Sequence, residues 1–213
     1  MHDELLEKHL RLVIEANKTT NITRIDSWED GMLLHVKDSL LGLKALQNCP
    51  EGKYADIGSG AGYPGLPLAI ETQRPTVLVD SVMKKVRILD GFIDELGLTN
   101  VETYAGRIED FGREHAGEFS AVSARALSKL SILLELASPL LKKGGRLICF
   151  KANVEQDEFD HALVVAKQVG MDLVDDETFE MEGYVRRILC YEKVSKPLLK
   201  LPRRTGMAQR RPL

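Results

Sequence analysis

Short apolar runs alternate with helix-length stretches along most of this chain, and that alternation leaves few folds open. Lys53–Ile57 (KYADI) and Thr76–Asp80 (TVLVD) read as buried strands, and Met83–Leu96 reads as a helix ended by Gly97. Val101–Tyr104 is a third, weaker strand and Phe119–Ala124 (FSAVSA) a fourth. A helix is predicted over Leu130–Leu141, stopped by the KKGG sequence, then a strand at Gly145–Lys151 and a helix over Val154–Val169. Strands near Met171–Glu180 and Val185–Lys193 close the series. Strands joined through helices predict a mostly parallel sheet covered on both faces. The last two strands have no helix between them, so they are expected to pair antiparallel at one edge. Upstream, Leu5, Leu6, Leu12 and Val13 suggest a helix ending near the NKTTN cluster. Leu33, Val36, Leu40 and Leu43 form a second helical stripe that Asp26 or Ser27 would cap. The chain thus divides into a helical extension over 1–48, an α/β unit over 49–193 and a tail over 194–213.

The first strand runs into Asp56–Gly65, DIGSGAGYPG, with four glycines in ten positions. Glycines after a buried strand permit a tight turn and a close ligand approach. An open α/β sheet binds its ligand at the carboxyl ends of its strands. Gly60, Gly62 and Gly65 satisfy G-x-G-x-x-G, which by itself suggests a dinucleotide. Two features argue otherwise. Pro64 and Pro67 delay the helix, and Asp56 brings negative charge where a pyrophosphate would need helix-start amides. S-adenosylmethionine carries a sulfonium and an ammonium, so an acid there is favourable. Asp80 lies 22 positions past Gly58, the spacing of an acid that binds ribose hydroxyls. The alternatives are a turn carboxylate for Asp56 and a helix cap for Asp80.

Composition excludes several other classes. Apolar residues make up 44% of 213, enough for one large core, yet no apolar run is long enough to span a membrane. The charged start MHDELLEKHLRL lacks a secretory core, so a cytoplasmic chain is expected. Cys49, Cys149 and Cys190 are too scattered for a disulfide framework or a zinc site, and no metal is expected. The net charge of −3 conceals an uneven distribution: residues 193–213 hold seven Lys or Arg and no acid, leaving −10 on the rest. Such a basic stretch suits a phosphate backbone, with a solubilising tail as the plain alternative.

ADIGSGAG resembles the first motif of class I methyltransferases. Together with NITRI (Asn21–Ile25), HVKDSL (His35–Leu40), LVDSVMKKVRIL, GRIEDF, SARAL, FKA and the final RPL, the whole chain resembles the bacterial small-subunit ribosomal RNA guanine-N7 methyltransferases, the glucose-inhibited division protein B family. Tyr63 stands where that family often has Leu or Phe. The resemblance implies a Rossmann-like class I methyltransferase sheet and S-adenosylmethionine as cofactor. It implies cofactor contacts from Asp56, Gly58, Gly60, Gly62 and Tyr63, and a ribose site at Asp80 and Ser81. Ile108 and Glu109 would border the adenine, through the Glu109 carboxylate or the Ile108 backbone. Arg125 would stand where the methyl group emerges, as a cofactor contact and an orienting group. Without the resemblance, Glu109 reads equally as a solvated acid and Arg125 as an ion-pair partner.

The chemistry implied asks little of side chains. Guanine N7 offers a free lone pair on its major-groove edge and carries no proton at neutral pH, so no general base is needed. Alignment of nucleophile, methyl and sulfur supplies on the order of 7–11 kcal/mol in favourable cases. No cysteine is placed for attack on cytosine, and SARAL has none of the proline and aromatic residues usual for adenine amine methylation. For the RNA side, His35, Lys151, Arg203, Arg204, Arg210 and Arg211 are the candidates. His35 and Asp38 either cap the site or form a local pair holding their helix to the sheet. The expected partner is 16S ribosomal RNA, naked or within a small-subunit particle, and a monomer is expected because nothing in the sequence requires a second chain. A nicotinamide-dependent oxidoreductase and a catalytically silent RNA-binding protein are the competing readings.

Overall fold

The computed structural model describes residues 2–213. Its strands are β1 (Lys53–Ile57), β2 (Thr76–Asp80), β3 (Val101–Ala105), β4 (Phe119–Arg125), β5 (Leu141–Lys151), β6 (Met171–Met181) and β7 (Tyr184–Lys193). They form one sheet in the order β3-β2-β1-β4-β5-β7-β6. The pairs from β3 across to β5 are parallel. The last two strands form the expected antiparallel pair at one edge, with β7 lying between β5 and β6 and running against both. Chain order reverses between β1 and β4, so the crevice for a ligand opens there.

The apolar runs are continuous because both sheet faces are buried. In β2, Val77 and Val79 enter one core while Leu78 enters another. Helices Leu130–Ala137 and Gln156–Gln168 cover the first face. Helices Gly65–Thr72, Met83–Leu96 and the N-terminal segment cover the second. The N-terminal helix His2–Asn17 buries Leu6, Leu10 and Val13 in the same cluster as Leu66, Ile70 and Leu89. Ser27 is the cap of the next helical stretch, its side chain accepting from the Asp30 amide at 3.1 Å. That stretch, 28–40, changes to a π-helix over Met32–Lys37.

The helix predicted to reach Leu141 ends at Ala137. Pro139 has no amide hydrogen to continue the ladder. KKGG lies instead within β5, which bends where its register against β4 shifts between Phe119 and Ala121. A Cβ on Gly145 would stand 2.9 Å from the Phe119 carbonyl, so only glycine passes this bend.

The tail is folded onto the body. Lys193 is the last residue of β7, buried, with its ammonium donating to Val169 O at 2.9 Å and to the Ser138 hydroxyl. Beyond it, Leu198 N donates to Gln168 O at 2.8 Å, Leu201 and Leu213 pack against the first core, and Ala208 is buried. Among the described residues no helix is long and apolar enough to cross a membrane.

Candidate active site

The glycine loop is built from below by Asp56. This carboxylate is 1% exposed. It accepts from the Ser123 hydroxyl at 2.6 Å and from the Gly65 amide at 3.2 Å, at the start of the Gly65–Thr72 helix. Burial pushes its pKa up to about 6, against the opposing pull of these donors. Gly65 is obligatory, because a Cβ there would lie 2.8 Å from the carboxylate and would collide with Leu78. Asp56 therefore holds the loop to the helix and does not reach the cleft above, as the turn-carboxylate alternative has it.

Above the loop lies a cleft of about 300 Å³ at the carboxyl ends of β1, β2 and β3. Gly58, Gly60, Asp80, Ser81, Ile108 and Glu109 line it, together with Val82, Lys85, Arg107, Ala126, Leu127 and Gln209. Gly58 has φ +77, and a Cβ there would meet Leu127 at 2.8 Å. A Cβ on Gly60 would meet nothing nearer than 3.9 Å, so that backbone faces open space. Asp80 accepts from Gly60 N at 3.0 Å and Val82 N at 2.8 Å, one oxygen each. It ties the loop to β2 and starts the next helix, and each oxygen retains acceptor capacity. Glu109 is buried, and its carboxylate accepts from Gly206 N at 2.6 Å.

Gly62 and Tyr63 belong elsewhere. A Cβ on Gly62 would strike Leu66 at 2.7 Å and His9 Nε2 at 3.1 Å, so glycine here admits the N-terminal helix, whose His9 meets Ala61 O at 3.1 Å. Tyr63 is sandwiched between His9, with ring centroids 4.4 Å apart, and His35, stacked at 4.3 Å. Its apolar ring thus supports the wall of a second cleft and does not touch the first.

That second cleft, about 400 Å³, opens beside β4 and β5. Arg125 organises it. Its guanidinium donates to Asp38 Oδ2 at 2.6 Å and Leu34 O at 3.0 Å, and to His35 Nδ1 at 3.2 Å. A guanidinium is always a donor, so His35 Nδ1 is unprotonated and Nε2 carries the hydrogen toward Thr23 Oγ1, 2.9 Å away. Burial and the Arg125 charge pull the His35 pKa down to about 3, leaving it neutral. Asp38 also accepts from Arg186 Nε at 2.5 Å, so one buried carboxylate joins two arginines. His35 and Asp38 therefore form no local pair with each other, and both serve Arg125. The carbonyl of Leu34 belongs to the π-helical turn, a distortion frequent at functional sites.

Lys151 lines this cleft, but its ammonium is held by Glu158 at 2.8 Å and Ser128 O at 3.2 Å. Ala126 borders both clefts, and at φ 52 it turns the chain after β4 between them. The basic residues of the tail separate into two kinds. Arg203 makes two bonds to the buried Glu135 carboxylate, at 2.7 and 2.5 Å, and another to Arg211 O at 2.8 Å. It is a fastening. Arg204, Arg210 and Arg211 are exposed. Arg186, Leu127, Ala126 and Gln209, with Val82, Lys85 and Arg107, are among the cleft residues that sequence reasoning missed.

A family model described as "GidB: rRNA small subunit methyltransferase G" matches residues 2–176. A ribosomal RNA small subunit methyltransferase G of Deinococcus radiodurans is 37% identical, over all of this chain and 86% of its own length. One of Desulfitobacterium hafniense is 39% identical, over 94% of this chain and 85% of its own. Among solved structures, YcgJ of Bacillus subtilis aligns with a TM-score of 0.60 at 15% identity, covering 76% of this chain and all of the other. M. jannaschii TYW2 in complex with AdoMet aligns at 0.57 with 18% identity, covering 74% and 77%. These two likenesses speak for the fold alone. The family match and the full-length relatives carry the identification: the chain belongs to the rRNA small subunit methyltransferase G family.

Proposed function

We propose that this chain transfers a methyl group from S-adenosylmethionine to N7 of a specific guanine in 16S ribosomal RNA. The observation that carries the reading is the meeting of two clefts at Ala126, on the carboxyl edge of the sheet. The glycine cleft suits an adenosine: Gly60 leaves backbone open to a ligand, and Asp80 has lone pairs free for ribose hydroxyls. It does not suit a dinucleotide, because the helix-start amide of Gly65 is already taken by the Asp56 carboxylate. When bound, the cofactor supplies an electrophilic methyl group on a sulfonium.

The chain's part is to position and to exclude. Gly58, Gly60 and Asp80 hold the cofactor, and Ile108 and Glu109 border its base. Arg125 fixes the wall of the second cleft, where the guanine enters against Leu34, Phe150 and Arg186. Both His35 nitrogens and both Asp38 oxygens are engaged, so neither is a free base. An acceptor that carries no proton needs none. Exposed Arg204, Arg210 and Arg211 supply phosphate contacts. A monomer is the proposed state. The test is methylation of unmodified 16S RNA and of small-subunit particles by the purified chain, followed by nucleoside mass analysis. The expected product is 7-methylguanosine at one site, and a methyl group on another base, or on neither substrate, refutes the reading.

A further inference from the structure

We propose that Gln209 is a cofactor-binding residue that reads the edge of the adenine ring, so that the C-terminal segment forms part of the S-adenosylmethionine site. The inference rests on the cofactor reading above and adds a residue to it. Three observations converge. Gln209 lines the glycine cleft although every other residue of that wall lies at position 127 or earlier. The segment bearing it is fastened before Gln209, by Gly206 N on Glu109 and by Arg203 on Glu135, and after it by the Arg203 guanidinium on Arg211 O, and it buries Ala208. The Gln209 side chain is exposed, and its carboxamide takes no partner among the described residues.

Chemistry and topology assign its role. With the ribose at Asp80 on the end of β2, the base extends toward the end of β3, where Ile108 and Glu109 follow. Glu109 is acceptor-only when ionised, so it can take the 6-amino hydrogen but has no donor to offer N7. A carboxamide presents one donor and one acceptor side by side, the complement of adenine N7 and its 6-amino group.

The test is calorimetric binding of S-adenosylhomocysteine and of S-inosylhomocysteine, in which an oxo group replaces the 6-amino group. Wild type is expected to prefer the adenine compound. Gln209→Ala is expected to weaken S-adenosylhomocysteine binding by about 5- to 160-fold, the worth of one such pair. The preference over the inosine compound is expected to collapse, with an unchanged melting temperature of the free protein. Equal weakening of both compounds, no weakening, or a fall in melting temperature that accounts for the loss overturns the assignment. A wild type that binds neither compound defeats the cofactor reading itself, which the variant result alone would not.

Discussion

Asp38→Ala removes the one carboxylate that stands between Arg125 and Arg186. The magnitude follows from the geometry. Asp38 is 3% exposed, and its partners' side chains are 14% and 17% exposed, so solvent screens little of the interaction. Two charge-assisted bonds, at 2.6 and 2.5 Å, disappear. Each is worth about 1.5–3 kcal/mol. The variant also leaves two guanidinium groups facing each other without a counter-charge, and breaking a buried pair in this way costs about 3–5 kcal/mol. For a domain of this size 1 kcal/mol moves the melting temperature by about 2–4 °C, so a fall of roughly 6–20 °C is expected. The glycine cleft contains neither Asp38 nor its partners, so S-adenosylhomocysteine affinity is expected to hold at a temperature where the variant is folded. Methyl transfer is expected to fall, because Arg125 and His35 lose their fixed positions. Scanning calorimetry, ligand titration and a methylation assay on one preparation give the three quantities. A destabilisation under about 1 kcal/mol refutes the account of Asp38 as a shared counter-ion. A cofactor affinity that collapses while the fold persists refutes the separation of the two clefts.

Other variants and one pH profile carry expected outcomes. Gly58→Val places a branched side chain at φ +77 and against Leu127, and should abolish S-adenosylhomocysteine binding at a cost of a few degrees in melting temperature; unchanged affinity would remove the loop from the site. Arg203→Ala strands the buried Glu135 and should cost about 3 kcal/mol by chemical denaturation. Alanine at Arg204, Arg210 and Arg211 should leave stability within about 0.5 kcal/mol but flatten the salt dependence of RNA binding by about 0.7 for each phosphate no longer neutralised, and an unflattened slope would make them solubilising only. Burial lowers the His9 pKa from 6.5 to about 4, so the unfolded chain takes up this proton first as pH falls. The stability it contributes is therefore full above pH 6.5 and declines below it, by on the order of 2 kcal/mol at pH 5. His9→Gln should be less sensitive to pH over that window, and an equal slope in denaturant titrations would show that the ring is not buried neutral.

Strand placement was legible because β2 and β4 are buried on both faces and bounded by turn residues. Side-chain direction was less so. Asp56 occupies the strand end where a ligand acid is expected, yet sequence does not reveal that Ser123 and the Gly65 amide lie beneath it. Arg186 escapes a sequence reading for a topological reason. In a parallel strand the cleft residues follow the strand, whereas β7 runs backwards and presents its first residues to the cleft. The run of positive charges after β7 masks Ala208 among them, a small residue buried where the segment docks. Tyr63 shows the limit of a motif: it lies in the glycine loop, but its ring points to helices far away in sequence.

The carboxylate of Asp56 also bears on how the chain behaves in a mixture of nucleotides. ATP, ADP and NAD present the same adenosine as S-adenosylmethionine, and a cleft that recognised adenosine alone would be filled by whichever was most abundant. They differ at the 5′ carbon, where the nucleotides carry phosphate and the methyl donor carries a cation. A phosphate entering over this loop finds its usual host, the helix-start amide, already engaged by a fixed negative charge. A like charge beneath the loop disfavours a phosphate there and favours a cation, and a difference of about 1.4 kcal/mol already shifts relative occupancy tenfold. A carboxylate held beneath the loop is thus expected to favour the methyl donor over its rivals.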